Sequence, residues 1–553
     1  MTDKYFNLVD EPWLPVRLVD GSVTELGLLE AYKRSQEIKA LAETSPPNLV
    51  AQYRLLLAIL NRAITSAYPD RNIKYADRAK WFRDGLPKEA VAAYLENWYE
   101  RFWLFHPEQP FMQVADLKDL IDDKDRKPWT QLDLAKAKGD NTLLFDNNNE
   151  TEPSPTTPQH AIRCMLGNLQ FATSGTIKIL DKKGKSDVKC ALTNTAAFIS
   201  IGKNLNETLA LCLHTPPISK TKGDLPTWEQ KPLTVSELLS RKEIREKLVT
   251  GTNDLYTRQS RSILLSLEDD YSVLFLRYAE GNRLPDLPQR FIHDPMIAVK
   301  KKGKQNYSAV TFTEGKALWR DLLTLPRNED YEACQFITDA ANLRRELNLD
   351  SDKKVILQPF LVAGVTAEQG KPGKLKLWRH IQTILPLALD KSVEELLYDN
   401  IADLVNDAQK LFNDISELAI KMIKTVKSDK NDKKAHDHAK KCLDASPFST
   451  CYFTVAERSL YKSLELLYSI NSAYQPPSAQ DKNSTEQTTE DEYDANVREA
   501  KNLWYQALKK GAENAWDLLF KSMGTSPRVL RAYAKFFPEF EKTVRGHDPK
   551  LYQ

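Results

Sequence analysis

Few residues in this sequence have the spacing that a catalytic or metal-binding motif requires. There is no GxxxxGK[ST] run, which argues against an ATP-binding phosphate loop, and no GxGxxG, GxSxG or HExxH pattern. One histidine-containing candidate is His436-Asp437-His438, followed by Cys442. Two histidines two residues apart do not share a helix face, so we expect a solvated, lysine-rich connection there. The sequence predicts no metal site and no cofactor.

A second histidine-containing segment is His293-Asp294. An HD dyad serves metal-dependent phosphohydrolases only when further His and Asp ligands complete the metal site. We cannot assign such ligands in this sequence, and no pair of carboxylates stands out as an acid/base couple. A metal-dependent phosphohydrolase therefore stays the alternative function, behind a non-catalytic binding or scaffold protein.

Composition restricts the function classes further. The 553 residues include 78 Lys and Arg against 76 Asp and Glu, a formal net charge of +2, which argues against coating nucleic acid by bulk charge. No run approaches the roughly 20 apolar residues of a membrane span, and the acidic N-terminus is no secretory signal. Six scattered cysteines without a CxxC pair indicate a reducing compartment, so we expect a cytoplasmic protein.

Three lysine-rich segments stand out against this neutral average, at residues 182–185, 299–304 and 371–376. Each contains or borders a glycine, so we predict three exposed loops in which backbone and ammonium groups can approach phosphates. A single loop of this kind is usually only a solubilising turn. Three of them in one domain make a nucleic-acid partner a candidate.

The elements that must position these loops differ between the two parts of the chain. The first part has mixed patterns: a helix is predicted over residues 49–63 after Ser45 and two prolines, and a hairpin over 259–278. The last part is helical. One apolar seam with alternating spacings of four and three follows a long helix at Leu397, Ile401, Leu404, Ala408, Leu411, Ile415, Leu418 and Met422.

Three further helices are predicted near residues 452–474, at about 490–520 and after Pro527, and with the first they suggest an antiparallel bundle. The polar connections at 424–441 and 475–490 are predicted to be mobile. The fold class is therefore α+β: a large mixed α/β domain at residues 1–379, followed by a four-helix bundle at residues 380–553.

Short segments resemble the CasA family, the large subunit of the type I-E CRISPR surveillance complex Cascade, in order along nearly the whole chain. They are NLVDEPWLPV at 7–16, HPEQPFMQ at 106–113, YTRQSRSIL at 256–264, DPM at 294–296, GKALWRD at 315–321 and AERSLYKSLELL at 456–467. Their order and spacing make chance agreement a poor explanation, and the predicted architecture agrees with the family's.

The resemblance implies a non-catalytic subunit of an RNA-guided complex. The family's subunit checks duplex DNA for a protospacer-adjacent motif (PAM), helps to open the duplex for guide RNA pairing, and recruits a helicase–nuclease in antiviral defence. Its implied partners are the guide RNA, PAM-bearing double-stranded DNA, the other Cascade subunits and that effector, with no membrane. This division of labour, in which protein reads the PAM and base pairing reads sequence, is general for RNA-guided recognition.

The resemblance also assigns residues that contact RNA and the PAM. The loop that anchors the subunit to guide RNA and neighbouring subunits falls at 141–150, with Phe145 and Asn147; alternatively Phe145 folds back onto the core. The family's glycine loop, which reads the PAM minor groove, falls at 181–185, where only Gly184 remains, next to Lys183. Arg283 takes the place of a PAM-contacting lysine, unless residues 280–285 are an ordinary surface turn.

Two further assignments concern the opened duplex. Residues 364–379 resemble a hairpin whose tip glutamine, here Gln369, wedges beneath the PAM while Lys371 and its neighbours hold phosphates; the alternative is an ordinary turn glutamine. Lys300, Lys301 and Lys302 align with a basic patch that guides the displaced, non-target strand, a role that needs charge but little specificity.

Overall fold

The computed structural model describes residues 4–136, 153–172, 175–179, 182–186, 190–214, 223–240, 249–282, 284, 294–302, 306–312, 319–320, 331–347, 355–367, 375–388, 391–427, 433–473 and 485–549. The chain forms two compact units. The first comprises Met1–Phe312, Arg327–Asn348 and Gln358–Ile384, and the second comprises Thr313–Pro326, Leu349–Leu357 and Leu385–Gln553. The domain boundary between residues 379 and 380 stays a prediction.

The described helices, in chain order, are α1 Leu28–Lys33, α2 Pro46–Ala67, α3 Tyr75–Asp84, α4 Lys88–Asn97, α5 Leu117–Leu120, α6 Pro158–Phe171, α7 Leu205–Cys212, α8 Val235–Ser240, α9 Thr252–Thr257, α10 Gln335–Glu346, α11 Lys391–Lys427, α12 Lys433–Asp444, α13 Phe448–Ala473, α14 Thr485–Met523 and α15 Pro527–Arg545. None of them is long and apolar enough to cross a membrane.

The described strands are β1 Tyr5–Asn7, β2 Leu14–Leu18, β3 Val23–Leu26, β4 Ile38–Leu41, β5 Trp103–Phe105, β6 Lys127–Pro128, β7 Gly175–Ile179, β8 Lys182–Ser186, β9 Ala196–Ser200, β10 Arg261–Leu267, β11 Val273–Glu280, β12 Val299–Lys302, β13 Asn306–Ala309, β14 Tyr331–Glu332, β15 Val355–Ala367 and β16 Leu375–Ala388. They form small two- and three-stranded sheets, which include β10-β11-β6, β13-β12-β14 and β16-β15-β9. The predicted α+β fold class is confirmed.

Helix α2 is a central element of the first unit. Its two prolines at the first helical positions match the predicted start, although the Ser45 side chain makes no capping hydrogen bond. Almost every residue from Pro46 to Ile64 is buried, because apolar side chains surround the helix instead of forming one stripe. The predicted hairpin at 259–278 is also confirmed, as β10 and β11, with Tyr271 at positive φ in the connection.

The second unit is helical, as the periodicity predicts. All eight residues of the α11 seam are buried. Hydrogen bonds join the long helices across this seam: Tyr452 Oη of α13 donates to the Ala408 carbonyl at 2.9 Å, and Trp504 Nε1 of α14 donates to the Leu404 carbonyl at 2.7 Å. Each bond satisfies the polar atom of a large buried ring.

The connection at 424–441, predicted to be mobile, overlaps a fifth helix among the described residues of this unit. Helix α12 begins at Lys433 and ends at Asp444. It buries Ala439 and Leu443, which are one helical turn apart, and keeps its described lysines exposed. The prediction of a mobile connection without regular structure was therefore wrong for residues 433–441, because two apolar positions among many charges are enough to dock a short helix.

Candidate nucleic-acid interface

The sheet β16-β15-β9 carries the segment with the predicted wedge. Strand β9 is buried throughout, and β15 pairs with it antiparallel from Phe360 opposite Ser200 to Gly364 opposite Ala196. A side chain at position 364 would meet the Thr195 carbonyl oxygen at 2.3 Å, so the close approach of the two backbones requires glycine. The inner part of the hairpin is thereby fixed to the core of the first unit.

Strands β15 and β16 are longer than this pairing needs, and β15 continues three residues past Gly364 toward the connection between them. They contain 13 and 14 residues, and at about 3.3 Å per residue each spans on the order of 40 Å. Gln369 and Lys371 belong to residues 368–374, which connect the two strands and lie outside the described residues. The sequence therefore carries its candidate wedge residues on the connection of a long, anchored hairpin.

Lys300, Lys301 and Lys302 belong to β12, not to the loop that the sequence predicted. Strand β12 lies between β13 and β14, and Lys300 is opposite both Ser308 and Tyr331. Lys300 is exposed and Lys301 is half-buried. Lysine is a poor strand former in isolation, so pairing on both sides of β12 decides its structure here. The prediction of a lysine-bearing loop was wrong for residues 299–302.

The segment predicted as the altered glycine loop is likewise a strand. Lys183 and Gly184 lie in β8, opposite Lys178 and Ile177 of β7, and only residues 180 and 181 connect the two strands. A two-residue connection makes β7 and β8 a tight antiparallel hairpin. The predicted loop at 182–185 is thus wrong as local structure, because the sequence pattern did not include the pairing with β7.

Arg283 lies outside the described residues, and both residues beside it are buried. Asn282 is 8% exposed and Leu284 is 2% exposed. The Asn282 N–H donates to the Gln259 carbonyl at 2.7 Å, which fixes the backbone just before Arg283. Asn282 and Leu284 are thus not surface residues, whereas the choice between a PAM contact and a surface turn at Arg283 stays a prediction.

A polar cavity of about 140 Å³ borders the same segment. Its lining residues include Asn282, Lys231, Glu237, Asp254 and Arg258. The Arg258 guanidinium donates to the Asp254 carboxylate at 3.0 Å, and both side chains are buried. The cavity thus places paired charges beside Asn282, the residue that precedes Arg283 in the sequence.

Phe145 and Asn147 also lie outside the described residues, but the structure describes both ends of the segment that contains them. Trp129 Nε1 donates to the Ser154 carbonyl at 2.8 Å, across the gap. The Asn168 side chain of α6 donates to the Gln131 and Leu132 carbonyls at 3.2 Å. The described residues before and after this segment are therefore tied to each other and to α6.

Three ligand-type side chains meet at this base: Asp133, His160 and Cys164. Their nearest donor atoms all lie within 4.8 Å of one another, and His160 Nε2 is 3.5 Å from Cys164 Sγ. Burial raises the pKa of the Cys164 thiol, and burial together with the charge of Arg163 lowers the pKa of His160. The sequence motifs did not indicate this group; the available signal was the spacing of His160 and Cys164, which are four residues apart on one helix.

The histidine-containing segments have different surroundings. His436 and His438 are exposed on α12, so the predicted solvation of this segment is confirmed although its structure is helical. Asp294 is buried, and its Oδ2 accepts from Arg54 Nη1 at 2.9 Å while its Oδ1 accepts from the Met296 N–H at 3.0 Å. Its partner in the dyad, His293, lies outside the described residues. Both Asp294 oxygens are thus engaged by protein groups.

Two further motif segments, HPEQPFMQ and YTRQSRSIL, contact each other in the core. The Gln259 side chain donates to the Gln113 carbonyl at 3.2 Å, and Gln113 Oε1 accepts from the Leu265 N–H at 2.8 Å. Tyr256 stacks on the guanidinium of Arg54 at 4.5 Å from the ring centre. These segments therefore build the frame that supports the candidate interface.

Comparison with known proteins identifies a family whose members are similar to this chain over most of its length. A family model described as CRISPR-associated protein Cse1 matches residues 7–492. CRISPR-associated protein CasA/Cse1 of Thermus thermophilus is 30% identical over 549 residues, which cover 98% of this chain and 97% of that protein.

Solved structures agree as well. The structure of Thermus thermophilus CasA (Cse1) matches with a TM-score of 0.75 at 26% identity and covers 98% of this chain and 100% of that one. A chain of a structure described as a CRISPR RNA-guided surveillance complex has the same fold, with a TM-score of 0.69 at 18% identity over 100% of both chains.

The fold and these matches define a CRISPR-associated protein. More specifically, the chain belongs to the Cse1 family, also called CasA, and the resemblance inferred from the sequence is confirmed.

Proposed function

We propose that this chain is the large, non-catalytic subunit of a type I-E CRISPR RNA-guided surveillance complex. In this role it recognises the PAM in double-stranded DNA in the cytoplasm, helps to unwind the target, and recruits a helicase–nuclease. Family membership supports the proposal, as does the shared fold with a chain of a surveillance complex. The single observation that carries it is the long hairpin of β15 and β16 anchored on β9.

The hairpin suits a wedge for a physical reason. Separating a base step costs on the order of a few kcal/mol. A hairpin can act as a wedge only if the protein holds its strands rigidly while the DNA strands separate. Pairing with the buried strand β9 and the close backbone contact at Gly364 hold the hairpin in this way. We propose that Gln369 separates the strands beneath the PAM, while Lys371 holds a phosphate.

The other candidate residues have complementary roles in this proposal. Lys183, Gly184 and Arg283 contact the PAM duplex, with the lysine supplying contacts that the family's glycines make through backbone. Lys300, Lys301 and Lys302 guide the displaced strand through charge. Phe145 and Asn147 contact the guide RNA and neighbouring subunits, with the aromatic ring stacking on a base.

A reconstituted complex with guide RNA tests the wedge. Its affinity is measured for a PAM-bearing duplex and for the same DNA with a pre-opened bubble. We expect Gln369→Ala combined with Lys371→Ala to weaken duplex binding and to spare bubble binding. The matched control is Gln36→Ala with Lys39→Ala, which removes the same two side-chain types from exposed positions of the first unit. Equal loss on both DNAs would show that the hairpin binds DNA but does not open it.

A further inference from the structure

A cluster of three side chains at the base of residues 137–152 has the composition of a metal site. Asp133 offers a carboxylate, His160 an imidazole and Cys164 a sulfur, and these ligand atoms lie within 4.8 Å of one another. The separation of His160 Nε2 and Cys164 Sγ is 3.5 Å. Two ligands of a tetrahedral Zn²⁺ ion, bound at about 2.1 and 2.3 Å, are about 3.5 Å apart.

The local structure explains why these residues meet. Helix α6 begins at Pro158 and is capped by Thr157, whose hydroxyl accepts from the His160 N–H at 3.3 Å. His160 and Cys164 are therefore one turn apart on a common helix face. Asp133 approaches from the preceding segment, where its Oδ1 accepts from the Ala135 N–H at 2.9 Å. That bond orients the carboxylate.

The surroundings restrict what the cluster can hold. Cys164 is buried, whereas Asp133 and His160 are half-buried. The ring of Trp129 packs edge-on against His160 at 5.3 Å between ring centres. Asn48 Nδ2 lies 3.9 Å from the sulfur. Protein thus shields Cys164, whereas His160 and Asp133 are partly accessible to solvent, so that water can reach the cluster from their side.

We propose that Asp133, His160 and Cys164 bind one Zn²⁺ ion, with water as the fourth ligand. The donor set decides the metal class: sulfur and imidazole suit zinc, whereas Ca²⁺ and Mg²⁺ take oxygen ligands. On binding, the thiol loses its proton to solvent and a Zn–S bond forms, so that a bound thiolate and carboxylate balance the charge of the ion.

The ion would connect the chain before residues 137–152 to the helix after them. The Trp129–Ser154 and Asn168–Leu132 hydrogen bonds already join residues before this segment to residues after it. A zinc ion adds a stronger link at the same place. It thereby holds Asp133 at a fixed distance from His160 and Cys164, on the two sides of the segment that carries Phe145 and Asn147, which is a structural role independent of the proposed DNA function.

Cobalt substitution tests the site directly. The full-length protein, purified without a histidine tag and stripped with a chelator, is titrated with Co²⁺. We expect about one ion per chain, with a thiolate-to-cobalt charge-transfer band and the visible bands of tetrahedral Co²⁺. Added Zn²⁺ should remove the bands and raise the thermal midpoint of unfolding.

Three variants make the test decisive. Cys164→Ser should lose the charge-transfer band, and His160→Gln should lose the tetrahedral spectrum. Because His160 is partly exposed, His160→Gln keeps the site testable if Cys164→Ser folds poorly. Cys212→Ser is the control for a buried thiol that donates to a carbonyl, at 3.3 Å from the Ser200 oxygen. Cys442→Ser tests the exposed His438–Cys442 pair, whose atoms are 3.8 Å apart. A wild-type protein without the thiolate band, or a band lost only in Cys442→Ser, would overturn the proposal.

Discussion

The buried ion pair between Arg54 and Asp294 offers a quantitative test of how the first unit is held together. The two residues are 240 positions apart in sequence, and Nη1 donates to Oδ2 at 2.9 Å. Their side chains are 0% and 1% exposed. Among the described residues, Arg54 Nε and Nη2 have no hydrogen-bond partner, so the Asp294 carboxylate and the Tyr256 ring provide most of the compensation for burying the charge.

Removing one partner leaves the other charge buried without compensation. Asp294→Ala and Arg54→Met are therefore each expected to cost about 3–5 kcal/mol of unfolding free energy. The double variant removes both charges and is expected to cost little more than either single variant. The coupling energy in the double-mutant cycle should then be about 3 kcal/mol.

Urea unfolding of the full chain, followed by tryptophan fluorescence, measures these differences. The matched control is the exposed pair of Arg34 and Glu37, which has a similar N–O distance of 2.8 Å but 31% and 59% exposure. Glu37→Ala should cost less than about 1 kcal/mol. If the Asp294 and Arg54 effects simply add in the double variant, the two charges are not compensating each other and the argument from burial is wrong.

Three further predictions concern two described residues, Asp339 and Gly364, and one candidate contact residue, Phe145. Asp339 accepts hydrogen bonds from Tyr75, Gln335 and His214 and lies beside Arg78. Burial alone would raise the pKa of Asp339. The His214 hydrogen bond and the Arg78 charge outweigh burial, so the pKa of Asp339 is lowered overall. Its contribution is therefore fully present above the unfolded-state pKa of about 3.9 and is lost as pH falls through the lower folded-state pKa. Urea unfolding between about pH 3 and 6 should show the stability advantage of wild type over Asp339→Asn shrinking below about pH 4, and an advantage that grows on acidification would contradict this. Gly364→Ala should lower the free energy of unfolding by about 1–3 kcal/mol because its Cβ would meet the Thr195 oxygen at 2.3 Å. Gly21→Ala is the control in the same assay: its Cβ meets no neighbouring atom, so this variant measures the backbone strain of a positive φ without a steric clash. Phe145→Ala should weaken association with the guide-RNA-bound partner subunits by about 1–3 kcal/mol in a binding titration, and Phe145→Tyr should retain it; equal losses would argue against stacking.

The helical part of the chain could be predicted well because its signal is local. The seam from Leu397 to Met422 repeats within one helix, and each seam residue is buried where the periodicity puts it. The hairpin of β10 and β11 was equally readable, since its two β-rich runs flank a polar connection. Helix α12 could not be predicted in the same way, because among its described side chains only Ala439 and Leu443 are buried and most of the others are exposed.

The candidate interface was harder to predict because pairing partners decide it. Lys183 and Lys301 have the composition of loops, but β7 and β13 pair with them and make them strands. Asp133 is 27 residues from His160 in sequence, so nothing local indicates that they meet. The family motifs identified positions along the chain, whereas the buried contacts that explain the motifs, such as Arg54 with Asp294, come from tertiary structure.

In the proposed function, this chain gives an RNA-guided complex its dependence on the PAM. The most direct measurement presents a library of duplexes, with one target sequence and randomised flanking bases, to a complex reconstituted with and without this chain. We predict that a restricted set of flanking sequences is enriched only when the chain is present, and that the preference disappears on DNA whose flank is single-stranded. Equal capture of all flanking sequences by the complete complex would contradict the account.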